Sequence, residues 1–269
     1  MTVMHDLKKA VEIAKKTVLE NIESATLVTG NENPFGDATL LLDQTAEDNA
    51  VEILLESDVT YQILTEEKGL IESEKPPEYL IVIDPIDGST NLERGIPLCS
   101  IGISAVPFSE TMTTDDVEIS IIDSLFTKET YQAVAGEGAK MNGKRISPKL
   151  SESRSKLIIS YDTKKPLMKE FGRQTLQTLQ SVYDMRRTGS NLLDLCWTAR
   201  GALDAMVDLR DILPIVHVSG THIVSEAGGF VLDITGSRFR QSFDLNKRMS
   251  FIAAKDESFA RTLLSEFLR

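Results

Sequence analysis

The run Tyr79-Leu80-Ile81-Val82-Ile83, followed at once by Asp84-Pro85-Ile86-Asp87-Gly88-Ser89-Thr90-Asn91, limits this chain more than any other stretch. An unbroken apolar run of strand length predicts a strand buried on both faces, which a layered fold provides. Asp84 and Asp87, three apart at its C-terminal end, can converge on one hard cation or bridge two. Pro85 sets its own φ and holds the turn. The Ile86 carbonyl, left without a ladder partner, is an available oxygen ligand. Gly88, Ser89 and Thr90 then open a turn or short helix whose free N–H groups suit a phosphate. Asp, Gly, Ser and Asn are also ordinary turn residues, so a solvated turn is the plain alternative.

A second acidic pair favours the metal reading. Glu66-Glu67 ends a predicted strand at 61–64, long enough before Asp84 for the chain to return alongside. Beside two strand-end aspartates it completes an oxygen-rich pocket suited to Mg²⁺. Asp43 stands where a second helix begins, and by itself reads as that helix's N-cap.

The remaining pattern is mixed throughout. Apolar spacing predicts a helix over 4–26, a loop around Gly30, Pro34 and Gly36, and strands at 100–107, 118–123 and 129–135. Asn142-Gly143 signals a type I′ hairpin. The Ser- and Lys-rich stretch 147–156 is the best internal boundary, so residues 1–269 read as one domain with two halves meeting near Ser151. Beyond it come a strand at 157–160, helices at about 165–180 and 190–200, and a strand over 202–209. A helix over 215–227 closed by Gly228-Gly229, strands at 230–234 and 250–254, and a last helix complete a layered α/β architecture.

Composition narrows the partners. Lys and Arg total 29 against 41 Asp and Glu, a net charge of −12, which argues against nucleic acid or an anionic membrane as partner. An anionic substrate stays compatible, because bound cations reverse the local sign. No apolar run approaches the ~18 residues of a spanning helix, and the N-terminus lacks the features of a signal peptide. Cys99 and Cys196 lie in apolar segments without metal-ligand spacing, as buried free thiols of a cytoplasmic protein do. Gly138 to Arg145 falls one residue short of a phosphate-loop signature, and the Asn142-Gly143 turn stands where a loop-to-helix transition would be required.

On these motifs the chain resembles the inositol monophosphatase superfamily of metal-dependent, lithium-sensitive sugar-phosphate phosphatases. Asp43, Glu66-Glu67, Asp84 to Asn91, Gly136-Glu137-Gly138-Ala139, Asn142-Gly143, Gly189-Ser190 and Glu226-Ala227-Gly228-Gly229 follow the family order. Asn33-Pro34-Phe35-Gly36-Asp37 and Val207-Asp208-Leu209-Arg210 are most similar to its archaeal-type branch, which often handles both inositol monophosphate and fructose 1,6-bisphosphate. The resemblance implies an α-β-α-β-α sandwich, two or three Mg²⁺ ions, a small phosphorylated sugar or polyol as substrate, and a homodimer. It implies that Glu66, Asp84 and the Ile86 carbonyl hold a first ion, that Asp84 and Asp87 share a second, and that Glu67 stands in the outer shell. Ser89 with Asp43 would orient and deprotonate the attacking water, while Asp87, Gly88, Ser89 and Thr90 would hold the phosphate. Gly189-Ser190 is similar to the family's sugar-contacting loop. Arg186 and Arg187 are candidates for a second phosphate, since guanidinium forks match its oxygens.

One position departs from the pattern. Aligned on Gly228-Gly229, Val216 stands where the family carries a second-metal aspartate. His217 beside it is a candidate substitute, and nitrogen ligation there would favour Mn²⁺ or Zn²⁺. Asp208 and Asp211 are further substitutes, and His222 reads as an ordinary partly buried side chain. The departure motivates one rival function, a weakened or inactive homologue that binds sugar phosphates or partners without turnover. A phosphatase for 3′-phosphoadenosine compounds or NADP is the other.

Overall fold

The computed structural model describes residues 2–36, 38–148, 156–163 and 170–269. Asp37, the expected boundary at Ser151 and the start of the helix predicted from 165 lie outside the described residues. In chain order the first half carries α1 (Thr2–Glu20), β1 (Val28–Glu32), β2 (Ala38–Leu40), α2 (Leu41–Leu55), β3 (Tyr61–Thr65), β4 (Gly69–Ile71), β5 (Tyr79–Asp87), α3 (Ser89–Glu93), β6 (Ser100–Pro107), β7 (Ile119–Ser124), β8 (Thr130–Val134), β9 (Gly138–Met141) and β10 (Lys144–Arg145). The second half carries β11 (Ile158–Tyr161), α4 (Phe171–Gln180), β12 (Asp184–Met185), α5 (Asn191–Ala199), β13 (Ala205–Pro214), α6 (Val218–Glu226), β14 (Phe230–Asp233), β15 (Arg248–Ala254) and α7 (Glu257–Leu268).

Strands β10-β9-β8-β7-β6-β5-β3-β4 form one sheet and β12-β11-β13-β15-β14 a second, with β1 and β2 pairing apart from both. Period-two alternation explains why β5 is apolar throughout. Ile81 and Ile83 join Leu7, Ala14 and Leu54 of α1 and α2 on one face of the large sheet. Leu80 and Val82 face the other way, into a core shared with Leu192 and Leu195 of α5, Val224 of α6, and Met206 and Phe251 of the small sheet. The small sheet's outer face, through Val207 and Ile252, packs against Phe171 of α4 and Leu263 and Phe267 of α7. Helices, sheet, helices, sheet and helices therefore stack in the expected α-β-α-β-α order.

Several boundaries differ from the sequence expectation. The first helix ends at Glu20, before a 3₁₀ turn at Ile22–Ser24, and the predicted loop after it contains the β1–β2 hairpin. That hairpin is mostly exposed, so no buried face imprinted an apolar period on its sequence. The segment 215–227 is a 3₁₀ turn at Ile215–His217 followed by α6, not one helix.

The most consequential difference lies in β5, which does not stop at Asp84 but pairs with β6 as far as Asp87. Its ladder to β3 ends at Ile83, so Pro85 forfeits no hydrogen bond there. Against β6, Asp84 pairs with Gly102 and Asp87 with Ser100, so three steps on β5 oppose two on β6. This one-residue bulge is decisive, because residues three apart in a regular strand face opposite sides. Gly102 and Ser100 share a face, and the extra residue puts both aspartates on that face, toward α5 and α6. Among the described residues no helix is long and apolar enough to cross a membrane.

A Cβ on Gly102 would overlap Leu192 Cδ1 and lie 2.8 Å from Ser219 Oγ. Gly102→Ala is therefore expected to destabilise the fold by about 1–3 kcal/mol through overpacking between the layers. Chemical denaturation of the variant measures this, and unchanged stability would contradict the close approach of α5 to β6.

Candidate metal and phosphate site

Asp84 is wholly buried, and neither carboxylate oxygen has a hydrogen-bond partner among the described residues. A buried anion in that state is costly unless a proton or a cation neutralises it. Its surroundings are acidic: burial first, then the charges of Glu66 and Asp87, push its pKa well above the ordinary aspartate value. Glu66, at the end of β3, is raised to about 7, chiefly by burial and further by Glu67, with His217 opposing.

Asp87 is in the opposite condition. Its Oδ1 accepts the Asn191 N–H at 3.0 Å, and its Oδ2 accepts from Leu192 N–H at 2.7 Å and from the Ser190 and Ser100 hydroxyls. All but Ser100, on β6, lie at the start of α5, so Asp87 seats the positive end of that helix against the large sheet. Ser190 is fully buried and also accepts the Leu193 N–H as N-cap. A Cβ on Gly189, whose φ is +85°, would meet Asn91 Oδ1 at 2.9 Å. Of Gly189-Ser190, expected to contact a sugar, Gly189 is half-buried and the Ser190 side chain is turned inward, holding Asp87 from behind.

His217 closes the cluster from the small-sheet side. Pro214 ends β13, and the 3₁₀ turn after it projects His217 so that Nε2 lies 3.3 Å from Asp84 Oδ2 and 3.5 Å from Asp87 Oδ1. Nδ1 lies 3.2 Å from the Pro214 carbonyl, which only accepts, so Nδ1 carries the proton and Nε2 faces the acids. Burial lowers the His217 pKa, but the facing Asp87 and Glu66 carboxylates outweigh it and leave the value raised. Asp84, Asp87 and His217 each offer a ligand atom within 4.8 Å of the others. Val216, the aligned position, instead packs wholly buried in the core between the sheets. Asp208 is tied to Arg210 and Asp211 is exposed, so neither joins the cluster. His222 is buried and lies 2.8 Å from the Ser120 hydroxyl through Nδ1.

On the other flank, Asp43 lies in the first turn of α2 and makes no cap. Its Oδ2 lies 2.7 Å from Ser89 Oγ, which is also 2.9 Å from the Ile86 carbonyl, while its Oδ1 has no partner. Burial raises the Asp43 pKa well above the ordinary value, although the Ser89 hydrogen bond opposes it. Gly88, at φ +99°, starts α3, and Thr90 is exposed at its first turn. Glu47 was not singled out from the sequence. It is fully buried one turn after Asp43, and its Oε2 accepts the Glu67 N–H at 2.9 Å, fixing the Glu66-Glu67 tip. Two acids at i, i+4 among apolar positions of one helix are the signal that could have revealed it.

The arginines are already engaged. Arg186 pairs with Asp184 on the edge strand β12 at 2.6 Å, and Arg187 pairs with Asp162 at 2.8 Å. Glu226 accepts the Gly138 N–H at 3.0 Å, so the glycine motifs at 136–139 and 226–229 brace one another.

Comparison with known proteins supports the resemblance. A family model described as the inositol monophosphatase family matches residues 2–268. The chain is 32% identical over 234 residues to a fructose-1,6-bisphosphatase of Pyrococcus furiosus, covering 87% of this chain and 85% of the relative. It is 30% identical to a fructose-1,6-bisphosphatase/inositol-1-monophosphatase of Methanocaldococcus jannaschii, covering 86% of each. It superposes on the crystal structure of an inositol monophosphatase–fructose 1,6-bisphosphatase with a TM-score of 0.83 at 28% identity, over 99% of this chain and 100% of that one.

Two outcomes follow from the electrostatics. Glu47 and Glu66 ordinarily titrate near 4.5 and are raised to about 7 in the fold, burial being the main cause. The folded state therefore holds these protons more tightly than the unfolded chain. Their stabilisation is complete below the unfolded value and is lost as pH rises through about 7. Cation-free protein should lose on the order of a few kcal/mol between pH ~5 and ~8, and divalent cation should restore it at the higher pH. Urea titrations at both pH values test this, and a flat profile would refute it. Val216→Asp should destabilise by more than ~3 kcal/mol without tightening cation binding, since it buries an unpaired charge; calorimetric cation titration and thermal melting check both parts.

Proposed function

The chain belongs to the inositol monophosphatase family, and on that premise we propose that it is a metal-dependent phosphomonoesterase acting on a small sugar or polyol phosphate, inositol 1-phosphate and fructose 1,6-bisphosphate first among them. The observation that carries this reading is the buried Asp84 carboxylate, without hydrogen-bond partners among the described residues, in a cluster with Asp87 and His217 and beside the charge of Glu66. Such a cluster fits divalent cations: its oxygen donors suit Mg²⁺, and among the described residues His217 is the one cationic group paired with Asp84 and Asp87.

In this reading Glu66, Asp84 and the Ile86 carbonyl hold one ion, and Asp84 and Asp87 take part in holding another. When bound, the ions acidify water and offset charge on the phosphoryl oxygens. The chain's own residues do the rest. Ser89 passes its hydroxyl proton toward Asp43 Oδ2, 2.7 Å away, and its oxygen then accepts a proton from the incoming water. Burial raises the Asp43 pKa, which makes its carboxylate a stronger base toward the Ser89 hydroxyl. Glu67, its backbone pinned by Glu47, orients the outer layer of water. Gly88, Ser89 and Thr90 hold the phosphate, and Arg186 would meet a second phosphate only by leaving Asp184. The same reading makes the protein a cytoplasmic homodimer, which light scattering checks.

Phosphate release from inositol 1-phosphate and fructose 1,6-bisphosphate over a Mg²⁺ titration is the test. Turnover should fall by about 100-fold or more in Asp84→Asn. Binding of sugar phosphate by calorimetry without release of phosphate, from these or any common phosphomonoester at millimolar metal, would select the non-catalytic alternative.

A further inference from the structure

We propose that the second cation position of this chain is a mixed nitrogen–oxygen site, with His217 Nε2 as a ligand beside Asp84 and Asp87, and that it selects Mn²⁺ or Zn²⁺ over Mg²⁺. The inference rests on the reading above that the acid cluster holds divalent cations, and adds the identity of one ligand and one class of ion.

Four observations carry it. First, the ring is oriented before any ion arrives: the Nδ1–H donates to the Pro214 carbonyl at 3.2 Å, which directs Nε2 at the acids. A backbone carbonyl on the far nitrogen is how metal-binding histidines are commonly held. Second, Nε2 lies 3.3 Å from Asp84 Oδ2 and 3.5 Å from Asp87 Oδ1. Ligands of one cation with bonds of roughly 2.1 Å stand roughly 3.0–3.4 Å apart, so one ion reaches all three atoms after a shift of a few tenths of an ångström. Third, Asp84 is wholly buried, and beyond the His217 ring its oxygens have no hydrogen-bond partner among the described residues, so the pocket contains a carboxylate open to a cation. Fourth, Asp87 is anchored from behind by Ser190, Leu192 and Ser100 through Oδ2, which leaves Oδ1, with one N–H donor, free to reach forward.

Selectivity follows from donor chemistry. Imidazole suits the later divalent ions and adds little for Mg²⁺, which prefers oxygen and keeps its water. The Glu66 side of Asp84 offers only oxygen and stays a Mg²⁺ position. Two neighbouring positions sharing Asp84 would then differ in the ion they prefer.

The test uses the full chain and Mn²⁺ as a paramagnetic probe. Pulsed electron paramagnetic resonance should detect imidazole-nitrogen coupling in the wild type, altered by labelling histidine with heavy nitrogen. The chain has three histidines: His5 is exposed on α1 and His222 is buried against Ser120. The coupling should vanish in His217→Asp and in His217→Gln. Calorimetry should show Zn²⁺ or Mn²⁺ affinity at this position falling at least ~10-fold in His217→Asp, while Mg²⁺ affinity does not fall. Absence of nitrogen coupling in the wild type, or its persistence in both variants, overturns the proposal; the wild-type spectrum requires no variant to fold. Phosphate release is scored separately. Nitrogen-coupled Mn²⁺ without hydrolysis would keep this site and remove the phosphatase reading, and hydrolysis without coupling would do the reverse.

Discussion

The whole site depends on a carboxylate that the protein buries and leaves uncompensated. Asp84 lies between two sheets with acidic neighbours, and apart from the His217 ring at 3.3 Å no described residue offers its oxygens a hydrogen bond. Burial in low dielectric disfavours its charge, and so do Glu66 and Asp87. A fold that keeps such a group near neutrality stores a preference for whatever brings positive charge to that point. Cation binding is then coupled to relief of a folded-state penalty, and the core around the site has to be rigid enough to impose it.

The contrast with Asp87 shows how finely the two acids are divided. Three residues on, the same kind of side chain receives hydrogen bonds from Ser100, Ser190, Asn191 and Leu192, mostly at the start of α5. One aspartate is a structural joint between the halves of the chain, and its neighbour is the electrostatic debt. The bulge between them makes this possible, because without the extra residue they would face opposite sides of the sheet. Gly102 opposite Asp84 keeps the facing surface low enough for Leu192 to approach. Backbone irregularity, helix placement and site electrostatics are therefore one arrangement.

Much of this was readable in the sequence where a strong local rule applied. The apolar run at 79–83 needed cover on both faces, and the observed layers supply it. The turn at Asn142-Gly143 has positive φ at both residues, as the dipeptide requires. Less was readable where the local signal was weak or shared. The exposed β1–β2 hairpin left no apolar alternation, and Asp43 looked like a cap because aspartate at a helix start usually is one. Glu47 was hidden for a similar reason, since a glutamate on a helix is ordinarily solvated and only burial marks it as unusual.

The order of motifs, the layered class and the set of acids that meet at one strand end follow from residue type and spacing alone, because periodicity and turn chemistry act over a few residues. Which of Val216 and His217 faces the cluster does not. That choice depends on the phase of a single 3₁₀ turn after Pro214, set by how Ile215 and Val216 bury themselves between two sheets whose strands are far apart in the chain. The inward role of Ser190 is likewise a product of tertiary contact, since its partner Asp87 lies more than a hundred residues away. Short-range stereochemistry wrote the parts, and long-range packing decided which side chains they turn toward the pocket.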